Sequence, residues 1–335
     1  MSEQYGLFVG IDISAAQLSV AGMRSIRSVE AVFRVDYTTR GMETLVERLS
    51  SQEAEATRIL VVLEATGNYW MSLALYLHQC GLAVSVINPA QGHYFAQALL
   101  QRGKSDPLDA KVLARLALTL QPAAWTPPPA VYEELRQRLV ERDALLDMRQ
   151  QVRNQQYALS HNPHCISSIG QRMDEHLRLL ATQIRQVERE IQQAMTQDAT
   201  WAAAAQRLRS IPGVGLISAG WMLVATLNFS QADTPEQVVA YAGLAPQPHQ
   251  SGTSLKGRAN IGHSGHARLR TALYMAVISA IRCNPMIRVF YQRLLERGKL
   301  KKVALCAAAR KLLHLAWALV KHETIFDPTY QVLPT

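Results

Sequence analysis

The sequence predicts an α/β domain followed by a mainly α-helical region, and three observations carry that division. Short β-rich apolar runs alternate with helical stretches as far as Leu118. Four prolines, Pro122, Pro127, Pro128 and Pro129, then crowd one short segment, where a helix cannot continue. Beyond them the apolar residues fall at helical spacing, including a seam that repeats every three or four residues.

Leu7 to Ile13, Leu18 to Met23 and Ser28 to Val35 are separated by turn-sized gaps and read as an antiparallel meander. A helical stretch, Thr39 to Leu49, follows. Arg58 to Leu63 reads as a buried strand, Tyr69 to Cys80 as a helix, Ala83 to Ile87 as a strand, Pro89 to Leu100 as a helix and Asp106 to Leu118 as another. The order as far as Leu100, βββαβαβα, places a mixed sheet between helices. It is the element order of the ribonuclease-H-like fold, which sugar kinases and actin-like ATPases also use, so the fold alone leaves several chemistries open.

Gln121 to Ala130 reads as a stiff connector. Met173, Leu177, Leu180, Ile184, Val187 and Ile191 form the seam of a coiled coil. With the less regular helix Tyr132 to Gln156 and a join at Ser160 to Gly170, they predict an antiparallel arm, or a plain helical spacer. Leu208 to Leu227 reads as a helix-hairpin-helix around Ile211-Pro212-Gly213-Val214-Gly215, where Gly213 and Gly215 would let backbone amides approach a phosphate; a purely structural turn is the alternative. Thr234, Pro235 and Gln237 have the pattern of a capped helix start. The boundaries expected are 1–121, 122–131, 132–200 and 201–335.

The 335 residues are 48% hydrophobic and 18% charged, enough for a full core. The net charge of +9 is unevenly spread: Ser251 to His322 holds 14 Lys and Arg against one acid, Glu296. That segment predicts a polyanionic partner, with Arg268 and Arg270 among its phosphate-seeking side chains. Cys80, Cys165, Cys283 and Cys306 have no CxxC spacing, which argues against a zinc knuckle or disulfide framework and for a reducing cytosol. His161, His164 and Cys165 read as a loop. No signal-like N-terminus and no unbroken apolar run of about 18 residues is present, so no membrane is expected.

Asp12 lies in the first strand, Glu64 closes the fourth, and Asp106 and Asp109 sit on one face at the start of a helix. Each has an ordinary reading, as a strand end, a turn residue, an N-cap or a complement to the helix dipole. Gathered together, four carboxylates would repel one another without a cation, and hard oxygen donors favour Mg²⁺ or Mn²⁺. Such a site suits phosphoryl transfer. Lys104 is a candidate phosphate contact beside it.

These residues resemble a known family. Gly10-Ile11-Asp12, Leu63-Glu64-Ala65-Thr66-Gly67 and Lys104-Ser105-Asp106-Pro107-Leu108-Asp109-Ala110 are similar to the three acidic blocks of insertion-sequence DEDD transposases related to the Piv DNA invertase. Arg209 to Gly215, Tyr241-Ala242-Gly243-Leu244-Ala245-Pro246, Ser251-Gly252, and Gly265 with Leu269-Arg270 resemble that family's C-terminal transposase domain. His263 and Ser264 precede Gly265 where Lys and Arg are expected.

The resemblance implies a RuvC-like catalytic domain, a coiled-coil arm and a C-terminal domain whose serine attacks DNA to form a phosphoserine link. By position that serine is Ser251, with Ser254 and Ser264 as competitors. Lys256 and Arg258 are expected to contact nucleic acid beside it. The resemblance further implies donor and target DNA as substrates, a structured guide RNA (a bridge RNA), a homo-oligomer, dimer or tetramer, and action in the bacterial cytoplasm at the nucleoid. The rival readings are a water-using RuvC-like nuclease or junction resolvase, a related invertase, a kinase-like or actin-like ATPase, and a non-catalytic nucleic-acid scaffold.

Overall fold

The computed structural model describes residues 4–67, 69–101, 103, 105–164, 166–230, 232–247, 250–251, 255–256, 260–261 and 265–329. They divide into two units, Met1–Pro127 and Pro128–Thr335.

In the first unit, β1 (Leu7–Ile13), β2 (Gln17–Ser25) and β3 (Ser28–Asp36) pair antiparallel, as the short gaps between them require. β4 (Ile59–Glu64) and β5 (Ala83–Ile87) add in parallel on the other side of β1, giving the order β3-β2-β1-β4-β5. Parallel neighbours need crossovers, and α1 (Thr39–Gln52) and α2 (Trp70–Gln79) supply them. Alternation along β1 sorts the two faces. Leu7, Val9 and Ile11 join Ile59, Val61 and Leu63 under Leu45 and Leu49 of α1 and Leu73 and Leu77 of α2. Phe8, with Leu60 and Val62, faces Leu113, Leu116 and Ala117 of α4 (Asp106–Leu120). Each such fully buried Leu or Ile contributes about 1.5–3 kcal/mol, so this two-sided burial fixes the register.

Between β5 and α4 lies α3 (Pro89–Ala98), which starts with a capping box from Asn88 and Gln91. The proline-rich segment after α4 is tied to the same unit. Trp125 donates its N–H to the Val84 carbonyl at 2.6 Å and sets its ring edge-on to Trp70.

The second unit opens with two long helices, α5 (Ala130–Ser160) and α6 (Ser167–Gln197). Their connection, 161–166, is shorter than the sequence suggested. Arg138 pairs with Glu190, Arg142 with Glu188 at 2.8 Å, and Gln156 with Asp174 at 2.6 Å. One number falls as the other rises, so the helices run antiparallel. Leu180, Ile184, Val187 and Ile191 of the seam are buried, with Met173 and Leu177 partly so. Ion pairs left about one-fifth to one-third exposed contribute about 1 kcal/mol or less each, so the apolar seam dominates the pairing.

α7 (Ala199–Arg209), α8 (Leu216–Thr226) and α9 (Pro235–Tyr241) follow. Thr234 and Gln237 form the expected capping box. α10 (Ala267–Cys283) and α11 (Pro285–Glu296) meet at a bend where the fully buried Asn284 caps α11, accepting from Ile287 N at 3.2 Å. α12 (Lys301–Lys321) is long and apolar enough by composition to cross a bilayer, and its Ala304, Ala308, Leu312, Leu313 and Ala316 are buried in the unit's core. Between α9 and α10 lie two nested antiparallel pairs that the sequence reading did not anticipate: β6 (Pro246–Gln247) with β9 (Asn260–Ile261), and β7 (Gln250–Ser251) with β8 (Leu255–Lys256). Two-residue strands in a Gly- and Ser-rich stretch carry no alternating pattern to read.

Candidate active site

The register of the sheet sets the acids. Asp12 pairs with Ser19 of β2, and Ile11 pairs with Leu63 of β4, so Glu64 stands beside Asp12 at the carboxyl ends of two parallel strands. Ile11 and Leu63 point into the α1 side. Asp12 and Glu64, each one residue further, therefore belong to the α4 side.

Two glycines permit close contacts on that side. A Cβ at Gly10 would lie 2.2 Å from both Ala110 O and Ala114 N, so α4 rests its backbone directly on β1. A Cβ at Gly92 would lie 2.1 Å from Glu64 Oε1, so the carboxylate occupies the space that a side chain on α3 would fill. Thr66 Oγ1 donates to Glu64 Oε2 at 3.4 Å.

The first turn of α4 holds Asp106, exposed, and Asp109, half-buried. Ser105 is the N-cap and makes no side-chain cap bond, and Pro107 occupies the first turn, where its missing N–H costs nothing. Ala110, the residue after Asp109, lies over Gly10, two positions before Asp12. The structure thus carries Asp12, Glu64 and the start of α4 on one side of the sheet. Among the described residues, no three His, Cys, Asp or Glu side chains are grouped so as to hold a metal ion. The donor class, carboxylate oxygens only, fits Mg²⁺ or Mn²⁺.

Sequence reasoning missed Ser19, a buried polar residue at 3% exposure in the same cross-strand row as Asp12. Counting residues back from the β1–β2 turn would have found it.

The candidate nucleic-acid contacts fall variously. Ser251 is in β7 opposite Leu255, and Lys256 is in β8 opposite Gln250. Lys104, Arg258, Ser254, Ser264 and His263 lie outside the described residues, as does Cys165. Gly213, at φ +102°, is approached by Ala280 of α10, with a Cβ only 2.6 Å from its backbone, so its bare Cα serves helix packing. Gly215 is exposed at the N-cap of α8 with open space around it. Arg268 reaches Asp143 of α5 at 2.9 Å and lies 5.2 Å over the Trp221 ring, while Arg270 donates to the Ala242 carbonyl at 3.2 Å.

Beside them, His266 caps α10 by accepting the Leu269 N–H on Nδ1 at 3.1 Å, between Trp221 and Tyr241. Burial first, then the Arg268 and Arg270 charges, hold its pKa below the ordinary histidine value. On α12, burial and the Arg293 charge lower the Lys311 pKa, and Lys311 and Arg293 both sit over Phe290.

Comparisons with known proteins match both halves of the chain. A transposase family model of the IS110 DEDD type matches residues 9–159, and a model described as transposase, IS116/IS110/IS902 family, matches residues 205–292. The chain is 31% identical to the pilin gene-inverting protein of Moraxella bovis over 289 residues, covering 86% of this chain and 88% of the relative. It is 25% identical to the transposase for insertion sequence element IS1328 of Yersinia enterocolitica over 310 residues, covering 80% and 85%. With both halves matched by transposase models and a relative aligned over most of its length, the chain belongs to the IS116/IS110/IS902 transposase family.

Proposed function

We propose that the chain is an insertion-sequence recombinase that cuts and rejoins DNA strands, using the acids of the first unit together with Ser251 of the second. The observation that carries this reading is the placement of Asp12 and Glu64 side by side on the α4 side of the sheet, with Glu64 cradled at Gly92. Family membership supports a DNA substrate, and the +13 segment from Ser251 to His322 supports phosphate binding.

The first unit is ribonuclease-H-like, or RuvC-like, in this reading. An order of β3-β2-β1-β4-β5, with an antiparallel meander followed by two parallel strands, supports it. α5 and α6 form a coiled-coil arm, supported by the buried seam. The turn between α7 and α8 acts as a helix-hairpin-helix through Gly215 and the free amides that start α8.

Asp12, Glu64, Asp106 and Asp109 would hold Mg²⁺ or Mn²⁺, which supplies charge neutralisation at the reacting phosphate. Ser251 Oγ attacks the phosphorus and loses its proton, forming a phosphoserine ester as the bond from phosphorus to the leaving DNA oxygen breaks. That oxygen departs as a hydroxyl once protonated. A second DNA hydroxyl then attacks the phosphoserine, the Ser251 oxygen leaves and is reprotonated, and the phosphodiester is restored. One phosphoester bond forms for each that breaks, so no high-energy cofactor is consumed. Lys104, Lys256, Arg258, Arg268 and Arg270 position the backbone.

A structured guide RNA pairing with donor and target DNA, assembly as a dimer or tetramer, and work at the nucleoid in the cytoplasm complete the proposal. The similarity to a protein named as a pilin gene inverter makes inversion between two sites of one DNA an equally suitable use of this chemistry.

The test incubates protein, guide RNA and DNA, denatures the mixture and looks for DNA covalently attached to protein. Ser251→Ala should abolish the adduct while DNA binding persists. An undiminished adduct would reject Ser251, and strand cleavage with no adduct in the unaltered protein would favour a water-using nuclease.

A further inference from the structure

The edge of the sheet at β3 carries a second polar feature. A cleft of about 310 Å³ opens where β3 leads into α1, lined by Arg34, Asp36, Thr38, Arg40, Thr44 and Arg48. Its lining has three arginines against one aspartate, and Asp36 already accepts from Gln17 Nε2 at 3.4 Å. Among the described residues, none of the three arginines forms an ion pair. Arg48 lies 4.9 Å over the Phe33 ring, which steadies its position without neutralising it. Thr38 Oγ1 accepts from Gly41 N at 3.1 Å, leaving its hydroxyl hydrogen to donate elsewhere. Planar, permanently charged forks beside a hydroxyl donor suit a phosphate oxygen pair.

Position gives this cleft its meaning. Arg34 pairs with Ser19, and Ser19 pairs with Asp12, so these three stand in one cross-strand row on the α4 side of the sheet, while Arg48, over Phe33 of the α1-side core, lines the same cleft from the other face of the β3 edge. Neighbouring strands lie about 4.8 Å apart, which puts the Arg34 backbone about 10 Å from that of Asp12. A DNA strand carries one phosphate per about 3.4 Å of helix axis, so a phosphate in the cleft lies about three nucleotides from one at the acidic row.

We propose that the β3-edge cleft binds a phosphodiester group of the same DNA strand that reacts at the acidic row, with Arg34, Arg40 and Arg48 fixing where along the strand the reacting phosphate falls. This rests on the reading of Asp12 and Glu64 as part of the reaction centre. Arg34, Arg40 and Arg48 are positioning residues, because they hold the strand away from the bond that changes.

The experiment uses the full chain and a fluorescein-labelled DNA duplex, without divalent cations so that no chemistry occurs, and reads anisotropy across a salt series. Replacing Arg34→Gln, Arg40→Gln and Arg48→Gln together should weaken binding about tenfold and lower the slope of log K against log salt by about 1 to 2. Changing the same three to Lys should restore the slope. All three side chains are exposed, so the melting temperature should stay unchanged and serves as the folding control.

An unchanged slope and affinity in the Gln triple would overturn the proposal, as would a loss confined to an RNA oligonucleotide. If inorganic phosphate raises the melting temperature of the unaltered protein but not of the Gln triple, while DNA binding is equal in both, the cleft belongs to free phosphate and the proposal also falls. Asp12→Asn separates this idea from the one beneath it. Strand exchange that survives Asp12→Asn rejects the acidic centre, whereas the salt slope reports the cleft whatever the acids do.

Discussion

Glu64 Oε1 occupies the space above Gly92 where a side chain would begin, 2.1 Å from the position of a Cβ. The contact is with the flexible end of a side chain, so Gly92→Ala can be accommodated by moving the carboxylate. Alanine is also favoured over glycine within a helix by about 1 kcal/mol. Gly92→Ala should therefore keep or slightly raise the melting temperature while, on the proposal that Glu64 helps to hold a metal ion, lowering strand exchange about 10- to 100-fold. Full activity with unchanged stability would mean that the position of Glu64 is irrelevant.

Gly10 makes the opposite prediction. A Cβ there meets Ala110 O and Ala114 N, both backbone atoms of α4, and a helix cannot step aside as a side chain can. Gly10→Ala should cost about 3 kcal/mol, read as a fall in the urea midpoint with the m-value unchanged. A loss of less than about 1 kcal/mol would show that α4 is not seated on β1 as described.

In the antiparallel helix pair, Ile184 is buried in the seam at 5% exposure, whereas the Arg138–Glu190 pair is about one-third exposed. Ile184→Ala should destabilise the chain by about 2–4 kcal/mol, and Glu190→Gln by about 1 kcal/mol or less. Denaturant titrations of the two variants compare them directly. The reverse ranking would mean that charge, not apolar burial, joins the helices.

His266 links stability to pH. Its pKa is lowered in the fold, so the unfolded chain binds the proton more readily. The stabilisation is whole above about pH 6.5, the unfolded value, and is lost as pH falls through the lower folded value. Protonation also removes the Nδ1 lone pair that accepts from Leu269 N. His266→Asn keeps a capping side chain without the titration. Melting temperatures taken down the acid side should fall more steeply for the unaltered protein than for His266→Asn, and parallel curves would remove His266 from the account.

The strand ends and the helix start that carry the four acids were readable from the sequence because they are local features: Asp12 lies at the end of an apolar run, and Asp109 sits three residues after Asp106 at a helix start. The meander and its crossovers were readable for the same reason. What could not be read depends on contacts far apart in the chain. Nothing near Gly92 announces that Glu64 lies over it, and nothing near Gly213 announces that Ala280 lies against it. Arg268, counted by its charge as a phosphate contact, also has Asp143 and Trp221 as partners. The β6 to β9 segment was opaque because its strands are two residues long.

The most direct test is strand exchange by Asp12→Asn, which removes one charge and keeps the size and the backbone of β1. The account predicts loss of exchange by about 1000-fold or more, with folding and metal-free DNA binding intact. Exchange within a few-fold of the unaltered protein would contradict it, because the row beside Glu64 would then have no part in the chemistry.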